Sequence, residues 1–178
     1  MQRVVTLVLF LLATLAGCGG NATTASPAKT SRTDPPLVTP DVNRLKEFWP
    51  SFSLTKEQKE PFPYLTVHDS AGTLLGFQVE SNHAATTDSG YMGKVPVRVY
   101  LDARARVVGY DILDNYETPA YLRLAMCDTL TSRLKRYVPG SGDSVDAVTL
   151  ATTTSKAIIH AVTKVADLIA ARLAAEQK

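Results

Sequence analysis

Residues 146–155 read Asp-Ala-Val-Thr-Leu-Ala-Thr-Thr-Thr-Ser and stand directly ahead of the last amphipathic segment of the chain. An acidic residue, Asp146, precedes Thr152 by six positions, and hydroxyls crowd the point where a helix is expected to begin. The first turn of a helix has N–H groups without intrahelical partners and carries the positive end of the dipole. An anion attached there is therefore stabilised by its position, and a phosphate ester on Thr152 is the chemistry this arrangement could support. The same hydroxyls also suit capping, in which Ser or Thr oxygens accept hydrogen bonds from the first-turn N–H groups.

Two further stretches carry residue types that could hold a ligand. The loop at residues 81–93 is long for a hairpin connection and ends Ser89-Gly90-Tyr91-Met92-Gly93. Its glycines allow close backbone approach and Tyr91 offers an aromatic face, although Gly and Ser are also ordinary turn residues. Residues 115–119, Asn-Tyr-Glu-Thr-Pro, follow the last expected strand. There Thr118 suits a helix cap and Pro119 the first helical position. A helix start of that kind, next to the Glu117 carboxylate and the Thr118 hydroxyl, can also hydrogen-bond the oxygens and nitrogens of a bound ring.

Together these stretches resemble the FMN-binding domain family, whose flavinylation motif runs Asp-x-x-Ser/Thr-Gly-Ala-Thr followed by x-Thr-Ser. That family includes the C and G subunits of the sodium-pumping NADH:quinone oxidoreductase and of the Rnf-type complex, and small lipoproteins of extracytoplasmic electron transfer. Asp146 matches the leading acid, Thr149 the hydroxyl position, Ala151 the alanine and Thr152 the residue that carries FMN through a phosphoester; Thr154 falls in the trailing hydroxyls. Leu150 stands where the family usually has Gly, and a positive φ at that point would strain a leucine. The segment ending Gly90-Tyr91-Met92-Gly93 is similar to the family's Gly-Tyr-x-Gly beside the flavin. Glu117-Thr118-Pro119 is similar to its Glu-Thr-Pro-Gly, with Ala120 replacing the glycine.

The N-terminus reads as an export signal over residues 1–17: Arg3 supplies the positive start, an apolar run follows from Val4 to Leu12, and small residues lead to a cysteine. The run is too short to span a bilayer comfortably. Leu15-Ala16-Gly17-Cys18 resembles the bacterial lipobox, which implies a lipid on Cys18 and an extracytoplasmic, membrane-anchored location; a cleavable signal with an incidental cysteine is the alternative. Residues 18–40 are rich in Thr, Ser, Ala, Pro and Asn and are expected to form a flexible tether. Loss of Arg3 with the signal lowers the formal charge from +2 to +1, a balance that gives no support to a nucleic-acid partner. Cys127 is then the one cysteine besides Cys18, so no internal disulfide is available to the folded part. The spacing for iron–sulfur, c-type haem or zinc is missing too.

The elements that must position the chemistry follow from periodicity. A short helix is expected at residues 41–48, closed by Trp49-Pro50, with Trp49 as core or as a lid at the sheet edge. Strands are expected at 64–68, 74–80, 94–101 and 107–113, paired as two hairpins. Leu75, Phe77 and Val79 form one inward set and Val95, Val97, Val99 and Leu101 another. One continuous helix is expected at 120–137 with Leu124, Cys127, Leu130, Leu134 and Tyr137 in a stripe. A final helix from about 153 to 174 has Ile158, Val162, Val165 and Ile169 inward and His160 turned away. The expected fold is α+β, a small antiparallel sheet covered by two or more helices, with residues 41–178 as one domain.

Functionally, the resemblance implies an electron carrier rather than an independent enzyme, with covalent FMN as cofactor. It further implies a flavin transferase that loads FMN from FAD, and membrane or soluble redox partners. The alternatives are a module that kept the fold without a cofactor, which Leu150 would favour, and an accessory subunit of a membrane redox complex.

Overall fold

The computed structural model describes residues 38–177. The export signal, Cys18 and the tether as far as residue 37 lie outside the described residues. Five strands, β1 (Phe52–Gln58), β2 (Tyr64–Asp69), β3 (Leu74–Glu80), β4 (Val97–Asp102) and β5 (Val107–Ile112), form one antiparallel sheet in the order β1-β2-β3-β4-β5. Strands that follow one another in sequence lie side by side, as short connections dictate. Helix α1 (Val42–Phe48) precedes the sheet, and α2 (Pro119–Ala125), α3 (Asp128–Arg136) and α4 (Thr152–Glu176) follow it.

The main core lies between the sheet and α4. Along that 25-residue helix, Ile158, Val162, Val165 and Ile169 are fully buried, with Ala157, Ala161 and Ala166 between them. The small alanines let the helix backbone approach the sheet, while each branched side chain contributes about 1.5–3 kcal/mol by leaving water. These side chains meet Phe77 and Val79 of β3 and Val97, Val99 and Leu101 of β4. The inward sets expected from alternation are therefore in place; Leu75 alone leaves its set and packs with the smaller cluster on the other face.

That other face is covered as well, which the expectation of a half-buried β3 did not include. Leu45 of α1 packs with Val67 and Tyr100, with Phe48 and Trp49 beside them. Trp49 lies on the backbone of Gly76, and Phe48 lies against Gly109. Gln78, on the same face, is fully buried: its side-chain N–H donates to the Thr39 carbonyl at 2.8 Å, and its oxygen accepts the Asp41 N–H at 3.0 Å. Val38 is also buried and donates its N–H to Glu57 at 3.2 Å. The chain is thus held against the sheet before Asp41, where the tether had been expected to run through residue 40.

Two other expectations change. Strand β1 had no counterpart in the sequence reading; it pairs with β2 as an edge strand from Phe52↔Asp69 to Gln58↔Tyr64, with an irregularity between Phe52 and Leu54. The helix expected at 120–137 is broken in two. Met126 ends α2, and Cys127 is extended (φ −64°, ψ 153°) as the N-cap of α3, whose first turn holds Asp128. The acidic residue suits a new helix start. The break leaves Leu124 exposed, off the stripe that keeps Leu130 and Leu134 buried.

Candidate functional site

The start of α4 is stitched to the segment before it by one side chain. Ser155 is fully buried; its hydroxyl accepts the Val148 N–H at 3.0 Å and donates to the Ala151 carbonyl at 2.8 Å. On the other side, Arg133 of α3 donates from Nη1 to the Asp146 carbonyl at 2.9 Å. Between these anchors the chain turns through Leu150, whose φ of 70° lies in the left-handed region. The backbone shape that favours glycine is therefore present with a leucine in it, at a cost of about 1–2 kcal/mol. The side chain of Leu150 is 78% exposed, so the strain is not accompanied by a packing conflict.

The hydroxyls of this turn divide into two groups. Thr154 and Ser155 are buried, and each is hydrogen-bonded. Thr152 and Thr153 are exposed. Thr152 opens α4 as its first residue, and its hydroxyl has one long contact, 3.5 Å to the Val148 carbonyl. The N-cap Ala151 has no capping side chain, and the first turn has no acidic residue. The first intrahelical bond runs from Ser155 N–H to the Ala151 carbonyl at 2.8 Å, so the N–H groups of residues 152–154 precede the ladder and keep their capacity for an anion. Capping by the hydroxyls of 152–154, the simpler expectation, is not what this helix start uses.

Across from this turn, residues 89–94 form a narrow projection. Ser89 bridges Lys94, and Gly90 N–H donates to the Gly93 carbonyl at 2.7 Å, which leaves Tyr91 and Met92 at the tip. Gly93 has φ of 155°. Tyr91 meets Tyr121 of α2 edge-on, with ring centroids 5.7 Å apart and planes at 69°. Tyr91, Tyr121, Leu150 and residues 151–154 line an open cleft of about 240 Å³.

Glu117 closes the arrangement from beneath. It is 6% exposed; Oε1 accepts the Met92 N–H at 2.6 Å, and Oε2 accepts the Thr154 hydroxyl at 2.6 Å. Thr118 is the N-cap of α2 by position, with Pro119 next, but its hydroxyl makes no capping bond and it is exposed.

Of the residues expected to form a site, Tyr91, Leu150, Ala151, Thr152 and Thr154 meet at the cleft. Glu117 and Gly93 support its wall; Asp146 and Thr149 are exposed but do not line it, and Asp146 lines separate clefts beside Arg133 and Lys156. Tyr121 and Arg133 belong to the arrangement and were not foreseen; Gly90 and Ser155 lie in the motif stretches singled out from the sequence, but their contacts were not foreseen. Tyr121 had a signal, an aromatic residue one turn into a helix that starts at Glu-Thr-Pro. Arg133 and Gly90 depend on partners in other elements, Asp146 and Glu117, whereas Ser155 bonds Val148 and Ala151 in the turn just before it.

The residues present suit a phosphorylated, planar aromatic group: an exposed hydroxyl, uncapped N–H groups at a helix start, two tyrosine rings and a leucine. No cationic side chain lines the cleft, and its volume is below the roughly 300–1,000 Å³ typical of pockets that bury a ligand of that size. Retention by burial or by ion pairing would thus be weak.

Residues 90–167 match the family model of the FMN-binding domain, which supports a flavin-binding role. The match spans the projection, the Glu-Thr-Pro turn and the start of α4. No curated protein matches the chain.

Proposed function

Since this chain carries a domain of the FMN-binding domain family over residues 90–167, we propose that it is an extracytoplasmic electron-transfer flavoprotein that holds FMN on Thr152 as a phosphoester. The observation that supports this most is the division of hydroxyls at the start of α4. Thr154 and Ser155 are buried and bonded, whereas Thr152 and Thr153 are exposed on the cleft, and of these two Thr152 holds the position of the motif's acceptor. The bond is made by a separate transferase: the Thr152 oxygen attacks the FMN phosphorus of FAD, the phosphoanhydride breaks, AMP leaves, and the hydroxyl proton passes to a base of that enzyme.

Flavin, when bound, supplies reversible acceptance and release of one or two electrons. The chain's own residues hold and orient it. The first-turn N–H groups of α4 would hold the phosphate, because they lack intrahelical partners and carry the positive end of the dipole. Tyr91, Tyr121 and Leu150 would give the ring an apolar wall, and the cleft is open on its other side to a partner. No covering element is needed for a carrier whose redox partners must approach the ring.

The location belongs to the same reading. The export signal and lipobox put a lipid on Cys18, and residues after it provide reach from a bacterial membrane to membrane or soluble redox partners. A covalent flavin suits that compartment, where lost FMN is not readily replaced. The test is a redox titration of the exported, transferase-treated chain after denaturing purification and refolding. The expected result is a flavin absorbance that bleaches and returns reversibly and is missing from Thr152→Ala. A colourless wild-type chain would leave a cofactor-free module as the better description.

A further inference from the structure

We propose that Glu117 is a positioning residue that fixes the aromatic tip against the acceptor turn, not a ligand of the flavin; this rests on the reading of the cleft as the flavin's seat. Two segments far from it in sequence converge on its one buried carboxylate. Oε1 takes the Met92 N–H, 25 residues away, and Oε2 takes the Thr154 hydroxyl, 37 residues away, each at 2.6 Å. The Glu117 N–H is itself held by the Asn115 side-chain oxygen at 2.9 Å.

The packing is equally specific. A Cβ on Gly90 would lie 2.6 Å from Oε1 of Glu117 and 2.8 Å from Val95, so the glycine makes room for the carboxylate. Gly90 and Met92 flank Tyr91, which means the tip is gripped on both sides by the same group. Glu117 also leads directly into α2, which carries Tyr121. Both walls of the cleft and the first turn of α4 are therefore referred to a single point.

Both partners of the carboxylate are donors, and an ionised carboxylate is the acceptor-only group that satisfies two donors at once. Glu117 is 6% exposed and does not line the cleft, so it acts on the flavin only through what it holds. A glutamine can partly replace it: the carbonyl accepts from Met92, and the amide donates to the Thr154 oxygen once that hydroxyl rotates. Alanine can do neither.

The experiment compares wild type, Glu117→Gln and Glu117→Ala in two states. In flavin-free protein, NMR hydrogen exchange at the Met92 amide is expected to quicken about tenfold in Glu117→Ala and little in Glu117→Gln, with the amides of mid-α4 unchanged. In transferase-treated protein, flavin stays on Thr152 in all three, and Glu117→Ala alone shows a rise in flavin fluorescence as the ring loses its tyrosine neighbour. Should Glu117→Ala fail to fold, Thr154→Val removes one arm only and is expected to raise fluorescence part of the way. Unchanged Met92 exchange in Glu117→Ala overturns the proposal. So does a flavin spectrum that changes equally in Glu117→Gln and Glu117→Ala while Met92 stays protected, the result expected of a direct ligand. A wild-type chain that takes up no flavin but loses Met92 protection in Glu117→Ala contradicts the flavin reading and upholds the clamp.

Discussion

At Leu150 and Ser155 two single side chains set the geometry of the acceptor turn by opposite means. Leu150 occupies a left-handed backbone position, φ 70°, without a packing reason for its side chain, which is 78% exposed. Replacement by glycine removes the Cβ conflict but adds freedom to the unfolded chain. Leu150→Gly is therefore expected to stabilise by up to about 1 kcal/mol in urea unfolding, with the m value unchanged. Ser155 contributes through hydrogen bonds: without its hydroxyl the Val148 N–H loses its acceptor. Ser155→Ala is expected to cost about 1–3 kcal/mol by the same measurement and to lower the yield of flavinylated protein, because the turn carrying the motif loosens. The motif hydroxyls and the awkward leucine could be read from residue types and spacing. The role of Glu117 could not, since its partners, Met92 and Thr154, are 25 and 37 residues away and nothing local marks them.

Among the elements, α4 serves two purposes, with its middle as core and its first turn as site. Burial of Ile158, Val162, Val165 and Ile169 fixes its rotation, and that rotation decides which hydroxyls face the cleft. Ile158→Ala is expected to lose about 2–5 kcal/mol, read from the shift in urea midpoint. This helix was legible because 25 residues repeat the same apolar spacing. Shorter elements were less so. The edge strand β1 exposes Ser53, Leu54 and Lys56 and leaves its other residues only partly covered, so its pattern has little alternation to detect. The pair α2 and α3 together kept an apparently continuous helical stripe through a break at Met126 and Cys127, which depends on where Leu130 and Leu134 seat against the core.

For the molecule as a whole, both faces of a five-stranded sheet are covered, so several tyrosine hydroxyls lie away from water. Burial pushes Tyr64, Tyr100, Tyr110 and Tyr137 up from the ordinary value of 10.0, Tyr137 to about 12 with help from its hydrogen bond to Asp167. In the unfolded chain these groups ionise near pH 10, whereas the folded chain keeps its protons. Their contribution to stability is thus complete below about pH 10 and is lost as the pH rises toward 12. Urea midpoints should fall over that window, and Tyr137→Phe should flatten part of the fall. Covering of the second sheet face was the largest feature missed from sequence. Alternation predicts one inward set per strand, but Gln78 and Tyr100 are drawn into a second, smaller core by α1 and the residues before it.

The central claim concerns one oxygen, and intact-mass analysis with fragment mapping reads it directly. Protein exported in the presence of a flavin transferase should gain the mass of FMN less one water, carried on Thr152. Thr152→Ser, which keeps the hydroxyl, should retain the addition in part. Thr152→Ala should lose it while changing stability by no more than about 0.5 kcal/mol, as expected for an exposed side chain. No added mass on the wild-type chain, or an addition that persists in Thr152→Ala, would contradict the account.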